Sequence, residues 1–140
     1  IAHLTPEKWD ESVNVNLTGQ WHLIRSLDPL LNLAPAGRAI LVSSGAANGS
    51  RPFWGAYAAT KAALEAIGRS WAAENEQTNL RINMMNPGGT ATTMRASAFP
   101  GENPETLPSP EVIAPAFIEL LTEECSYHGE LISARERLGL

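Results

Sequence analysis

Apolar residues recur at helical spacing along the start of the chain: Trp9, Val13, Leu17, Trp21, Ile24, Leu27 and Leu31. A period near 3.6 residues predicts one amphipathic helix. Thr5-Pro6-Glu7 opens it, with Thr5 as N-cap, Pro6 in the first turn and Glu7 suited to the helix dipole. Asp28-Pro29 is expected to kink or break it. The pattern then changes. After the turn residues Pro35-Ala36-Gly37, "RAILV" is a short unbroken apolar run ending in Ser43-Ser44. That is the pattern of a strand buried on both faces, as in a parallel sheet.

A Gly/Ala/Ser loop leads into an alanine-rich helix from about Trp54 to Glu76. "LRINMMNPGG" reads as a second strand, stopped by the turn signal Asn86-Pro87-Gly88-Gly89. The stretch from Thr90 to Pro108 is polar, rich in proline and threonine, and reads as a flexible loop. Ser109-Pro110-Glu111 starts another helix, which runs through Phe117 to Leu121 with Pro115 bending its first turns. Gly129 introduces a third strand, "ELISA". Helix and strand thus alternate, which is the order of a doubly wound α/β sheet. Ligands of such sheets sit outside the C-terminal ends of the strands. Ser43-Ser44 and the loop from Asn86 to Thr93 both fall there.

Composition narrows the function. The 140 residues are enough for one core, and 44% apolar with 18% charged residues describes a globular chain. A net charge of -5 with no Lys/Arg cluster argues against nucleic-acid binding. A single cysteine, Cys125, rules out an internal disulfide and fits a reducing, cytoplasmic setting. No apolar run has the length of a membrane span. His3, His22 and His128 are scattered without metal-ligand spacing, so no metal is expected.

The chemistry is concentrated elsewhere. In "WGAYAATKAALEAIG", Tyr57 and Lys61 stand four residues apart and share a helix face. A free tyrosine has a pKa near 10, so only about one in a thousand is ionised at neutral pH. A cation one helical turn away favours the phenolate, which suits a general acid/base that trades a proton with an alcohol or alkoxide. Alone, the same spacing is common by chance and reads first as an amphipathic edge. Ser44, at the end of the first strand, either caps it or offers a hydroxyl to a substrate carbonyl. Asn16, between Val13 and Leu17, is either a satisfied core amide or a residue that holds a water near Lys61.

Taken together, Asn16-Leu17-Thr18-Gly19, Ser44, Tyr57 with Lys61, and Asn86-Pro87-Gly88 with Thr90 and Thr92 resemble the second half of a short-chain dehydrogenase/reductase in order and spacing. "NPGGTATTMRASAFP" with "WGAYAATK" is similar to a bacterial subgroup often left as uncharacterised oxidoreductases. The resemblance implies a Rossmann-like fold, and residues 1–140 as the C-terminal part of a single NAD(P)-binding domain of about three strands with flanking helices. It implies NAD or NADP as cofactor and a small alcohol or carbonyl compound as substrate. Tyr57 would be the proton donor/acceptor. Lys61 would make the phenol more acidic and bond the nicotinamide-ribose hydroxyls. Ser44 would hold the substrate oxygen, and Asn16 would position a water in a relay to Lys61. Thr90 and Thr92, in the loop that follows Pro87-Gly88, would bind the carboxamide, and residues 94–108 would form the substrate lid.

The family's glycine-rich T-G-x-x-x-G-x-G turn and N-N-A-G motif are not in the sequence. A dinucleotide fold uses about six strands. The expectation is therefore a fragment of a longer enzyme, inactive by itself, with "AILV" as an unpaired apolar edge. Ala58, Ala59, Ala62, Ala63 and Ala66 make a low-relief helix surface, and in the family the two long helices form a subunit interface, so a homo-oligomer is expected. The competing expectation is a non-catalytic half that serves as a binding or assembly module. Epimerisation or dehydration with a tightly held cofactor ranks below both.

Overall fold

The computed structural model describes residues 1–49 and 51–140. Three strands, β1 (Arg38–Val42), β2 (Arg81–Asn86) and β3 (Leu131–Ser133), form one parallel sheet in that order. Parallel neighbours need crossovers. The helix α3 (Gly55–Glu74) joins β1 to β2, while α4 (Thr93–Ala98) and α5 (Pro110–Leu121) join β2 to β3. Ahead of β1 run α1 (Pro6–Val13) and α2 (Gly19–Leu33), and α6 (Ala134–Leu138) follows β3. This is the doubly wound arrangement expected of the sequence. No helix among the described residues is long and apolar enough to cross a membrane.

Successive strand side chains point to opposite faces, and each face has its own core. Leu41, Ile82 and Met84 pack with Leu64, Trp71 and Ala72 of α3, backed by Ile24 and Leu31 of α2. Met85 packs on the other side with Ile113, Ala116 and Leu120 of α5 and with Ala134. Asn83, 1% exposed, breaks the apolar run of β2. Its amide donates to Tyr127 O at 2.9 Å, and its oxygen accepts from Glu130 N at 3.2 Å. The polar side chain therefore carries the hydrogen bonds that draw the loop before β3 against the sheet. At the entry to β1, a Cβ on Gly37 would stand 2.3 Å from Leu31 O, so the turn out of α2 admits only glycine.

Four expectations need correction. First, Pro29 does not end the helix, which runs on to Leu33. Arg25, whose carbonyl loses its partner to proline, is exposed. Asp28 meanwhile ties α2 to α3 by accepting from Trp71 Nε1 at 2.7 Å. Second, the inward face of α2 is Gln20, Ile24, Asp28 and Leu31, whereas Trp21 and Leu27 are exposed. The expected single helix is interrupted by a π-helical turn, Asn14–Thr18, in which Gly19 N–H donates to Asn14 O five residues back. The wider turn shifts the phase of everything after it. Third, the segment expected as a flexible loop contains α4 and a short 3-10 turn, Pro104–Thr106. Thr92 caps α4 by accepting from Arg95 N at 3.1 Å, and Asn103 caps the turn by accepting from Glu105 N at 3.0 Å. Ala91 N to Pro108 O, 2.9 Å, closes the base of the segment. Fourth, the third strand is shorter than "ELISA": Ala134 already belongs to α6.

The edge expectation holds: β1 pairs only with β2 among the described residues, and Val42 is 45% exposed. Leu23, Leu27, Leu30 and Leu33 of α2 are exposed as well.

Candidate active site

The parallel strands β1 and β2 end side by side, and their exit loops are stapled together by one residue. Asn86 Oδ1 accepts from Gly45 N at 3.1 Å and from Gly88 N at 3.0 Å. A short side-chain acceptor that bonds the backbone two residues on is an Asx turn. The same oxygen reaches across to the loop after β1. Ser44 leaves β1 in an extended conformation and caps a 3-10 turn, Gly45–Asn48, its Oγ accepting from Ala46 N at 3.2 Å. The hydroxyl proton remains free to donate. Both readings of Ser44 are thus compatible: it caps, and it keeps a donor.

Tyr57 and Lys61 lie on the first turns of α3, next to Ser44. Lys61 Nζ is 5.7 Å from the Tyr57 ring centroid and donates to Val42 O at 2.8 Å. Burial holds the Lys61 ammonium below the usual lysine range. One of its three N–H donors is used among the described residues, which leaves two for a ligand. The Tyr57 ring meets Trp54 edge-on at 5.7 Å, and its hydroxyl makes no hydrogen bond among the described residues.

Asn16 projects from the π-helical turn. Its Nδ2 donates to Thr60 Oγ1 at 3.3 Å, and that hydroxyl donates to Tyr57 O at 2.8 Å. The amide expected to need a partner finds one in Thr60, which sequence reasoning missed. The signal was available, because Thr60 stands three residues after Tyr57 on the helix that carries the site. π-Turns occur often at functional sites, and here the extra residue turns Asn16 toward α3.

The loop after β2 completes the arrangement. Gly88 has φ +74°, and a Cβ there would lie 2.6 Å from Arg135 Cδ. Gly88→Ala is expected to cost about 1–3 kcal/mol from left-handed backbone strain. A urea titration of the intact protein would read this as a lower midpoint at unchanged slope. A wild-type midpoint would show that the loop can adopt another conformation. Thr90 Oγ1 lies 3.4 Å from Gly88 O, while Thr92 Oγ accepts from Arg95 N and retains its proton.

Asn16, Ser44, Tyr57, Lys61, Pro87, Gly88, Thr90 and Thr92, all singled out from the sequence, line one cleft of about 330 Å³. Trp54, Met94, Arg95 and Ala98 form more of its wall. Arg95 is neutralised by Glu102 through two 2.6 Å bonds, and it holds the Glu102 carboxyl below its ordinary range. Arg95 also lies 3.8 Å from the Phe99 ring centroid, and Phe99 contacts Trp54 at 5.3 Å between ring centroids. A tilted ring contact therefore links the end of α4 to the residue that opens α3. Asn86, Thr60 and the buried pair Ser43 and Glu65 are among the residues of this region that the sequence reading did not select as site residues.

The donor set fits a nicotinamide nucleotide and a small oxygen-bearing substrate. Two free ammonium N–H groups suit a ribose diol, while a phenol and a serine hydroxyl suit an alcohol or carbonyl oxygen. Comparison with known proteins points the same way. Residues 1–103 match the model of the short chain dehydrogenase family. The uncharacterized oxidoreductase YciK of Escherichia coli K12 is 41% identical over 124 residues, covering 89% of this chain and 49% of YciK. A short chain dehydrogenase of Salmonella enterica serovar Typhi superposes with a TM-score of 0.92 at 36% identity, over 96% of this chain and 56% of that one. One from E. coli CFT073, solved in complex with NADPH, gives 0.91 at 38% identity, again over 96% and 56%. The chain spans about half the length of each of these proteins. With motif order, sheet topology and the sequence match in agreement, the chain belongs to the short-chain dehydrogenase family.

Proposed function

We propose that the protein carrying this chain interconverts an alcohol and a ketone or aldehyde, using NAD or NADP. One observation carries the reading: a tyrosine hydroxyl, a lysine ammonium with two unused donors and a serine hydroxyl meet in one cleft at the C-terminal ends of parallel strands. Tyr57 Oη takes the proton from the substrate alcohol, or returns one to the forming alkoxide. Ser44 Oγ–H donates to the same substrate oxygen and stabilises its developing negative charge. Lys61 keeps a positive charge beside the phenol and bonds the nicotinamide-ribose hydroxyls. Asn16, anchored through Thr60, holds a water that hands protons on toward Lys61. Pro87, Gly88, Thr90 and Thr92 form the side of the cleft that receives the carboxamide. The nucleotide, when bound, supplies or accepts the hydride.

Residues 94–108 act as the substrate lid, built on α4 rather than on a free loop. The intact protein is a cytoplasmic homo-oligomer through its two long helices, a reading supported by the exposed apolar side chains of α2 and by exposed Ala59 and Ala66 on α3. The test is a binding and turnover assay on the intact protein with NADH and NADPH, against aliphatic and aromatic aldehydes and ketones including para-nitrobenzaldehyde and phenanthrenequinone. Nucleotide binding with loss of nicotinamide absorbance is expected. A protein that binds neither nucleotide would overturn the reading.

A further inference from the structure

Two side chains, one helical turn apart on α3, grip the end of β1. Lys61 donates to Val42 O, as described. At the next residue, just past the end of β1, Ser43 Oγ donates to Glu65 Oε1 at 2.5 Å. Ser43 is 3% exposed and Glu65 4%. The Ser43 backbone N–H continues the sheet by donating to Met85 O at 2.8 Å. Tyr57, Lys61, Glu65 and Arg69 recur every four residues along α3, so the Tyr/Lys pair is the top of a longer stripe. Arg69 Nη1 lies 3.6 Å from Glu65 Oε2 and is half exposed, which gives the buried charge a path to solvent.

A buried carboxylate is a poor way to gain stability. Its desolvation is costly, and apolar residues of similar volume often pack as well or better. A hydrogen bond between two buried side chains, however, is directional, and it fixes position. The residue that it fixes is flanked by the two that matter to the cleft, Val42, whose carbonyl receives Lys61, and Ser44. We propose that Ser43 and Glu65 are a positioning pair, which sets the end of β1 against α3 and so aligns Lys61 and Ser44 for the reaction. This rests on the function proposed above. Ser43 backs the cleft wall, but it is 3% exposed and its hydroxyl is committed to Glu65, so each side chain acts through its neighbour.

The test is steady-state kinetics of the intact protein, with NADPH and para-nitrobenzaldehyde or the panel compound turned over fastest. Ser43→Ala and Glu65→Leu are each expected to lower kcat roughly tenfold to a hundredfold, with both KM values nearly unchanged. Glu65→Gln keeps an oxygen for Ser43 and should recover most of kcat. Wild-type kcat in Ser43→Ala overturns the proposal. So does a loss in Glu65→Gln as large as in Glu65→Leu, which would point to charge rather than to the hydrogen bond. If Glu65→Leu does not fold, Ser43→Ala and Glu65→Gln decide. If Ser43→Ala does not fold, the pair is a folding element and the proposal falls. Tyr57→Phe, run in parallel, separates the two ideas. Should it stay active, the reading of the site fails; should it alone be inactive, only the pair fails.

Discussion

Tyr57→Phe should leave a folded protein that binds nucleotide normally and turns over about 10²- to 10⁴-fold more slowly. The substitution is narrow. The ring keeps its edge-on contact with Trp54 and its place 5.7 Å from Lys61 Nζ. The hydroxyl has no hydrogen bond within the described chain, so its loss strands no partner. On the mechanism proposed above, what goes is the proton carrier, whose contribution would be about 3–5 kcal/mol of barrier. An ordinary neutral hydrogen bond contributes only about 1 kcal/mol, so the size of the loss itself discriminates. A fall of only a few fold would mean that Tyr57 orients substrate while another group moves the proton.

Lys61→Met should be more severe in a different way. Loss of a charged donor to the ribose is worth about 1.5–3 kcal/mol, so KM for the nucleotide should rise roughly tenfold to a hundredfold. Loss of the positive charge beside Tyr57 and the forming alkoxide should lower kcat by about 10² or more. Stability should move the other way. Burial lowers the Lys61 pKa, so the folded state binds that proton more weakly than the unfolded chain does. Between the folded value and the ordinary lysine value of about 10.4, the wild type therefore gains stability as pH rises. Methionine removes the desolvation cost together with that pH dependence. Thermal denaturation in mildly alkaline buffers should show Lys61→Met melting at or above the wild-type temperature, with the pH trend flattened. A clearly lower melting point would mean that the bond to Val42 O matters more to the fold than relief of the buried charge.

Much of this architecture could be read in advance where one residue pattern had one physical meaning. The short apolar runs of β1 and β2 read as strands of a sheet with a core on each face, and the sheet has both cores, although Asn83 interrupts β2 and Val42 is exposed at the edge. The side chains with proton or donor chemistry were recognisable by type, and they share a cleft. The misreadings came where local and tertiary terms compete. Pro29 is a helix breaker by itself, but the Asp28 bond to Trp71 holds its turn in place. Residues 90–108 look polar and irregular until Thr92 and Asn103 are counted as caps. The burial of Glu65 has no signal in the alanine-rich helix that carries it. Only the approach of Ser43 from a strand end distant in sequence explains its burial.

The π-helical turn bears on any attempt to move this chemistry to another scaffold. Copying Asn16, Ser44, Tyr57 and Lys61 onto regular helices and a regular strand would reproduce the list but not the geometry. Asn16 reaches Thr60 because residues 14–18 wind more widely than an α-helix. An idealised backbone, which designers favour for its stability, would rotate that amide out of the cleft. The transplantable unit is therefore five irregular residues plus a strand end and two helical turns. A site held to within about half an ångström would lose Asn16, its proposed relay residue, first if that irregularity were smoothed away.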